Sequence, residues 1–127
     1  MRAKAWREWR REVPPGRARL VRGAPLSGLD VSAKRTFKQK GYYGLSVLTF
    51  RASTGQGIAR RARLPHDDFC VTRARVLRRA GFEVRMTDET RPGHASIVFE
   101  GKPSQDDIDV VIRAFGRSRP NRMARSR

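Results

Sequence analysis

The sequence predicts an α+β domain: a small, mostly antiparallel sheet with flanking helices, followed by a basic, disordered C-terminal tail. Residues 44–50 form an apolar run rich in β-branched and aromatic side chains, which favours a strand. Residues 82–88 and 94–100 alternate in polarity on either side of a turn, which indicates a hairpin. Residues 104–115 repeat apolar side chains at helical spacing. Strands and helices mixed in this order are typical of the α+β class.

The N-terminal segment, residues 1–16, has the pattern of a basic amphipathic helix over residues 2–13. Trp6, Trp9 and Val13 recur at i, i+3 and i+7, and the Pro-Pro-Gly that follows ends the helix. This apolar stripe is expected to pack either on the core or on a partner. Residues 18–25 then predict the first strand.

The middle of the chain predicts a loop and a second strand. Residues 26–43 are mixed and polar, and they predict a loop with at most a short helix. In the strand over 44–50, Leu45 and Val47 face one way and Ser46 faces the other.

A basic helical region is predicted next. Residues 53–57 predict a flexible loop, residues 58–64 a short basic helix, and residues 68–80 a longer helix. Asp67 is a plausible N-cap for that helix and Gly81 a stop. Its apolar face consists of Phe69, Val76, Leu77 and Ala80.

The C-terminal third combines the hairpin with a well-capped helix. Ser104 and Asp107 have the spacing of a capping box, in which each side chain bonds the other's backbone N–H. Residues 117–127 carry five arginines and no acid, which predicts disorder. The predicted organisation is therefore an N-terminal helix over 1–16, one domain over 17–116, and the tail.

Length and composition restrict the protein class. A chain of 127 residues can bury a core without disulfides or metals. One cysteine, Cys70, and two histidines cannot easily form a structural metal site, and we expect the thiol to be buried on the helix over 68–80. The sequence has no apolar run of membrane-spanning length and begins with a charged segment, so we expect a soluble, cytoplasmic protein.

The charge indicates a polyanionic or acidic partner. The formal net charge is +17, and only residues 86–116, with 3 basic and 6 acidic side chains, form a net-acidic segment. Such an excess favours nucleic acid or an acidic protein as partner, although an arginine-rich proteome would also produce it. The predicted contact surface consists of Arg60, Arg61, Arg63, Arg73, Arg75, Arg78 and Arg79.

Familiar catalytic motifs are missing from the sequence. It contains no GxxxxGK[ST] phosphate loop, no GxGxxG after a strand, no HExxH and no GxSxG elbow. The remaining candidates are polar groups on or near predicted strands. Arg22 ends the first strand, Ser46 lies in the second, and His94, Ser96 and Glu100 share one face of the strand over 94–100. His94 and Ser96 are expected to face either solvent or a cleft.

Three segments carry a family resemblance. "RLVRGAP", "GLSVLTF" and "HASIVFEGKP" resemble, in order and rough spacing, segments of small type VI secretion toxins with an ADP-ribosyltransferase-like fold. The resemblance covers these short pieces only. It implies a toxin that is neutralised by a cognate acidic partner, an antitoxin or immunity protein.

The resemblance also implies roles for individual residues. Arg22 would hold the nicotinamide dinucleotide NAD, Ser46 would shape the pocket, and His94 would be a polar pocket group. Glu100 would be the nearest candidate for the catalytic glutamate, which stabilises a positively charged ribosyl centre. The family has Gln or Glu two residues before that glutamate, and Val98 stands there instead. Whether the protein is an enzyme therefore stays open.

A second hypothesis comes from a different class of protein. The chain would bind RNA or DNA through its arginines, or would be a small ribonuclease toxin. Cleavage requires a general acid–base pair beside a cation, and His94 or His66 with Glu100 and a nearby arginine would supply one. The sequence does not separate this hypothesis from the first.

Overall fold

The computed structural model describes residues 14–50, 54–86 and 93–122 and confirms the α+β class. Within these ranges six strands form one antiparallel sheet flanked by four helices. The helix predicted over residues 2–13 lies outside the described residues. In the part of the chain that is described, no helix is long and apolar enough to cross a lipid bilayer.

The sheet has its first strand near the centre. The strands are β1 (Arg19–Gly23), β2 (Gly44–Leu48), β3 (Asp68–Arg73), β4 (Glu83–Met86), β5 (His94–Val98) and β6 (Arg119–Pro120). The helices are α1 (Leu29–Lys40), α2 (Gly55–Arg61), α3 (Ala74–Arg79) and α4 (Gln105–Phe115). The strand order is β4-β5-β2-β1-β3-β6, and each neighbouring pair is antiparallel.

The sheet separates two hydrophobic clusters, because successive residues of a strand point to opposite faces. Leu20 of β1 belongs to a large cluster that includes buried residues of α1, α3 and α4, and we call this side the three-helix face. Its neighbour Val21 belongs to a small cluster under α2, on what we call the one-helix face. The buried members of the small cluster are Val21, Ile58, Ala59, Leu64 and Phe69.

The predicted hairpin and C-terminal helix are confirmed. In the β4–β5 hairpin the buried side chains of Val84 and Ile97 lie opposite each other. The capping box of α4 is complete: the Asp107 N–H donates to Ser104 Oγ at 3.1 Å, and the Ser104 N–H donates to Asp107 Oδ2 at 3.0 Å.

The helix predicted over 68–80 is wrong for its first half. β3 occupies that half and pairs with β1 along five residues, and only α3 is helical. Phe69 and Cys70 enter opposite clusters, which a strand permits and a helix does not. Asp67 is therefore not an N-cap. Cys70 is buried, as expected, but on a strand, and burial together with the Asp68 charge raises the pKa of its thiol.

The loop predicted over 26–43 contains the longest described helix, α1. Its N-cap is Gly28, which has a φ of 62° and no side chain to accept a backbone hydrogen bond, so the usual start signal is absent. Only Leu29 and Ala33 are buried, which gives the helix a narrow apolar stripe. Gly41, at a φ of 83°, provides the glycine C-cap that favours helix termination.

Two further boundaries differ from the prediction. α2 begins inside the predicted loop over 53–57, because the Thr54 side chain accepts a hydrogen bond from the Gly57 N–H and caps the helix. At the other end, β6 lies in the segment predicted to be disordered and pairs with β3. Residues 123–127 lie outside the described residues.

Candidate functional site

A cavity of about 470 Å³ opens between β1 and β2. The two strands pair at Val21 and Leu48, and past this pair β1 continues alongside β3. Beyond the Val21–Leu48 pair β1 and β2 diverge, and the space between them has a volume in the range of small-ligand sites. The cavity is lined by residues 21–25, Ser27, residues 46–48, Leu64, His66 and His94.

Arg22 connects the two diverging strands. Its NH1 group donates to the Ser46 carbonyl at 2.6 Å, and its NH2 group donates to Ser32 Oγ on α1 at 3.4 Å. The side chain is half-buried, and burial lowers the pKa of the guanidinium, which still keeps its charge near neutral pH. Among the described residues no carboxylate forms an ion pair with Arg22. The guanidinium is thus a partly desolvated cation held by neutral oxygens.

His66 reaches the cavity from the loop after α2. Its imidazole lies against the backbone of Gly23, so closely that a Cβ on Gly23 would overlap the ring. Gly23 lacks a positive φ, so it is this contact that disfavours a side chain there. His66 is therefore in contact with the residue that follows Arg22.

His94 enters from β5 on the other side. It is the first residue of β5 and lies opposite Leu48 of β2, the strand that separates β5 from β1. Gly93, before it, has a φ of 84°, and a Cβ there would overlap the Phe50 ring, so only glycine fits this approach. The Gly93 carbonyl accepts a hydrogen bond from Thr49 N–H at 2.7 Å. These contacts fix the backbone before His94 and therefore the position of His94 in the cavity wall.

The two candidate serines have different surroundings. Ser46 lines the cavity and is exposed. Ser96, which the sequence places on the same face as His94, is buried, and its Oγ lies 3.3 Å from the Tyr42 hydroxyl. The expectation that Ser96 faces solvent or a cleft is therefore wrong.

Glu100 does not join the other candidates. It is exposed and lies beyond the far end of β5, at a separate cavity of about 600 Å³ that includes Glu83 and Asp107. Of the described residues that line the first cavity, none is a carboxylate. The structure thus brings together Arg22, Ser46 and His94, adds His66, and leaves Glu100 apart.

The seven arginines of the predicted contact surface are divided by the sheet. The helix that carries Arg60 and Arg61 packs on the one-helix face, whereas α3 packs on the three-helix face. Arg78 is half-buried, donates to the Val84 carbonyl at 3.4 Å, and has a pKa lowered by burial. These residues do not form one continuous basic face. The exposed members are Arg60, Arg61, Arg63, Arg75 and Arg79.

The described residues contain no metal-binding cluster. No group of three or more His, Cys, Asp or Glu side chains in this part of the chain is arranged to hold an ion. The polar groups at the cavity are a guanidinium, two imidazoles and hydroxyls. Such groups bind anions and transfer protons.

Comparisons with known proteins give no match: no protein-family model, no curated protein and no solved structure is significantly similar to the chain. The geometry of the cavity is therefore the basis on which we infer the function.

Asn121 is a residue of the site that sequence reasoning missed. It is fully buried, and its side-chain amide bonds the loop that carries His66. It lies in an arginine-rich segment whose composition predicts disorder, and nothing in its local pattern indicates burial. The close contact between Gly23 and His66 has no sequence signal either, because the two residues are far apart in the chain.

Proposed function

We propose that the chain is a toxin-type protein of the cytoplasm whose cavity between β1 and β2 binds a nicotinamide dinucleotide. An acidic partner, an antitoxin or immunity protein, would neutralise it. The observation that carries the proposal is Arg22, a half-buried cation at the cavity without a carboxylate partner among the described residues. A phosphate group is the ligand that such a guanidinium would bind most strongly.

The residues at the cavity fit a ligand with phosphate and hydroxyl groups. Arg22 would bind a phosphate oxygen, and the exposed Ser46 hydroxyl would donate to a second oxygen of the ligand. Apolar side chains such as Val21, Leu48 and Leu64 also line the cavity and suit the flat surface of a base. The position of Arg22 and Ser46 at one cavity supports the roles that the family resemblance implies for them.

The proposal gives Glu100 no part in the chemistry. Stabilising a ribosyl cation requires a negative charge beside it, and Glu100 lies at a different cavity. The described residues at the proposed site offer two imidazoles and no carboxylate. We therefore propose dinucleotide binding as the activity that these residues support, and we assign no group-transfer step to them.

A thermal shift assay tests this proposal. We expect NAD and ADP-ribose, but not nicotinamide, to raise the melting temperature, because a ligand that binds only the folded state stabilises it by mass action. R22Q should abolish the shift. R22K should weaken it, because lysine retains the positive charge but lacks the paired N–H donors of the guanidinium. The control is R35Q, which removes an exposed cation on α1 outside the cavity. Equal shifts in R22Q and the unchanged protein would refute the proposal.

One observation favours a second candidate function, RNA cleavage. The chain has two histidines, and both line the cavity with Arg22. One imidazole would take the proton of a ribose 2′ hydroxyl, whose oxygen attacks the phosphorus. The bond to the 5′ oxygen would break as the other imidazole protonates that oxygen, giving a 2′,3′-cyclic phosphate and a 5′ hydroxyl. Arg22 would stabilise the charge on the phosphoryl oxygens.

Cleavage of a short fluorogenic RNA distinguishes this second function. We expect a bell-shaped pH profile, and a loss of about a hundredfold or more in H66Q and in H94Q, which is the usual effect of removing one acid or base. The same oligonucleotide with a 2′-deoxy residue at the cleaved position is the control, because it cannot form the cyclic phosphate. Equal cleavage of both oligonucleotides, or no cleavage, would exclude this function.

Expression in bacteria tests the toxin proposal itself. Induction should arrest growth, and R22A or H94A should relieve the arrest while the protein level on a gel stays unchanged. Growth that is unaffected by the unchanged protein would contradict a toxin acting in the cytoplasm. The net charge of +17 supports an acidic partner, since complementary charge accelerates association.

A further inference from the structure

The C-terminal end of the described chain is attached to the loop that carries His66. The Asn121 Nδ2 group donates to the Leu64 carbonyl and to the His66 carbonyl, each at 2.9 Å. The Asn121 N–H donates to the Asp67 carbonyl at 2.7 Å. Asn121 is 0% exposed, so water cannot replace these bonds. We call residues 119–121 the C-terminal clasp and residues 64–67 the histidine loop.

The asparagine side chain suits this arrangement chemically. A carboxamide has two N–H donors, and here both meet carbonyl oxygens of the histidine loop. Aspartate has the same shape but would place an acceptor against two acceptors. Alanine would leave the carbonyls of Leu64 and His66 without these donors.

The histidine loop connects α2 to β3 and forms part of the cavity wall. It follows Arg63, which has a φ of 52°, a left-handed conformation that costs a non-glycine residue roughly 1 kcal/mol. The loop also contributes Leu64 and His66 to the cavity wall. Its position therefore decides whether the His66 imidazole stays against Gly23.

A second contact anchors the clasp. The Gln56 side chain on α2 donates to the Pro120 carbonyl at 2.9 Å, and β6 pairs with β3 through Asp68 and Phe69. The clasp is thus bound to α2, to β3 and to the histidine loop. A displacement of the clasp would be transmitted to the histidine loop through the two hydrogen bonds of the Asn121 amide.

We propose that Asn121 is a positioning residue, which determines where the His66 imidazole lies in the cavity. Asn121 has this role in the protein without ligand, so the role is the same whether the cavity binds a dinucleotide or RNA. It also assigns a specific task to a segment that the sequence presents only as an arginine-rich tail.

NMR of the two histidines tests this inference directly. The chain has only His66 and His94, so each imidazole gives a separate set of ring signals that H66Q assigns. In N121A we expect the ring signals of His66 to move, while the His94 signals stay in place. S104A is the matched control, because it removes a helix cap on the other side of the sheet and should move neither histidine.

A milder variant keeps the test decisive if N121A does not fold. Q56A removes the Gln56 contacts to the Pro120 carbonyl and to the Arg122 N–H, and it should shift the His66 signals in the same direction by a smaller amount. Unchanged His66 signals in a folded N121A or Q56A would overturn the inference, even if the melting temperature falls. Loss of NAD binding is scored separately and does not affect this outcome.

Discussion

The two faces of the sheet differ in how they are covered. On the three-helix face, α1, α3 and α4 pack over a cluster of fifteen buried residues. On the one-helix face, the seven-residue helix α2 covers five. Buried apolar area is the main source of stability, so the three-helix face should contribute most of it.

Both histidines line the cavity from the one-helix face. His66 follows α2 in the chain, and His94 pairs with Leu48, whose side chain packs against the small cluster. Arg22 points to the other face but bonds the carbonyl of Ser46 at the gap between the strands. A face with less packing leaves room for a ligand. We infer that the three-helix face supplies most of the stability, while the one-helix face supplies the histidines of a cavity that Arg22 reaches from the opposite side. Four predictions test this difference between the faces.

The largest effect is expected from matched truncations in the two clusters. I97A on the three-helix face should cost about 3–5 kcal/mol of unfolding free energy, and I58A on the one-helix face about 2–3 kcal/mol. Both isoleucines are fully buried, but the region around Ile58 can relax more readily into the cavity left behind. Urea denaturation measures both. An equal or larger cost for I58A would show that the faces do not differ in this way.

The helix caps give an intermediate effect. S104A and T54A each remove a side-chain acceptor from a helix N-terminus and should each cost about 1 kcal/mol. T54A should also accelerate amide hydrogen exchange throughout α2, because this seven-residue helix packs on a cluster of only five buried residues. S118A, at an exposed serine outside any helix, is the control. Exchange in α2 that is no faster in T54A would contradict the weak attachment of this helix.

Cys70, on the three-helix face, predicts a pH dependence. Burial raises the pKa of its thiol in the folded protein, so the unfolded chain loses that proton at lower pH. Stability should therefore fall as pH rises above the unfolded pKa, until the folded pKa is reached. C70A lowers stability at every pH by loss of packing, but its melting temperature should decline less steeply between pH 8 and pH 10. Melting temperatures that fall equally with pH in C70A and in the unchanged protein would contradict this prediction.

The smallest effect on stability is expected from G23A. The added methyl group would displace the exposed His66 ring at a cost of a few tenths of a kcal/mol, within the range of surface substitutions. The His66 signals in NMR should nevertheless move. G101A, at a glycine with open space around it, should leave them unchanged. A His66 signal that is identical in G23A and the unchanged protein would refute the contact.

Much of the fold follows from local patterns in the sequence. Alternation in residues 94–98, the run at 44–48 and the capping box at Ser104 predict β5, β2 and α4 because each element carries its own signal. The sequence predicts a helix where β3 lies, because Phe69 has helical spacing with the apolar residues of α3. The pairing of β3 with β1, which decides the outcome, is a long-range interaction.

The site was predictable only in part. Arg22, Ser46 and His94 lie on strands that the sequence predicts, but that they meet depends on strand order. The sequence places Glu100 and His94 on one face of the predicted strand over 94–100, but they lie at opposite ends of β5 and at different cavities. Asn121 could not be found locally, because its burial depends on a loop more than fifty residues earlier.

The bond from Arg22 to the Ser46 carbonyl has a mechanical consequence. It is a side-chain rung across a ladder whose backbone rungs stop at Val21 and Leu48. An anion that captures the guanidinium would remove this bond, so a bound ligand and the link between the two strands would compete for one group. Ligand binding should then loosen the contact between β1 and β2 beyond the Val21–Leu48 pair.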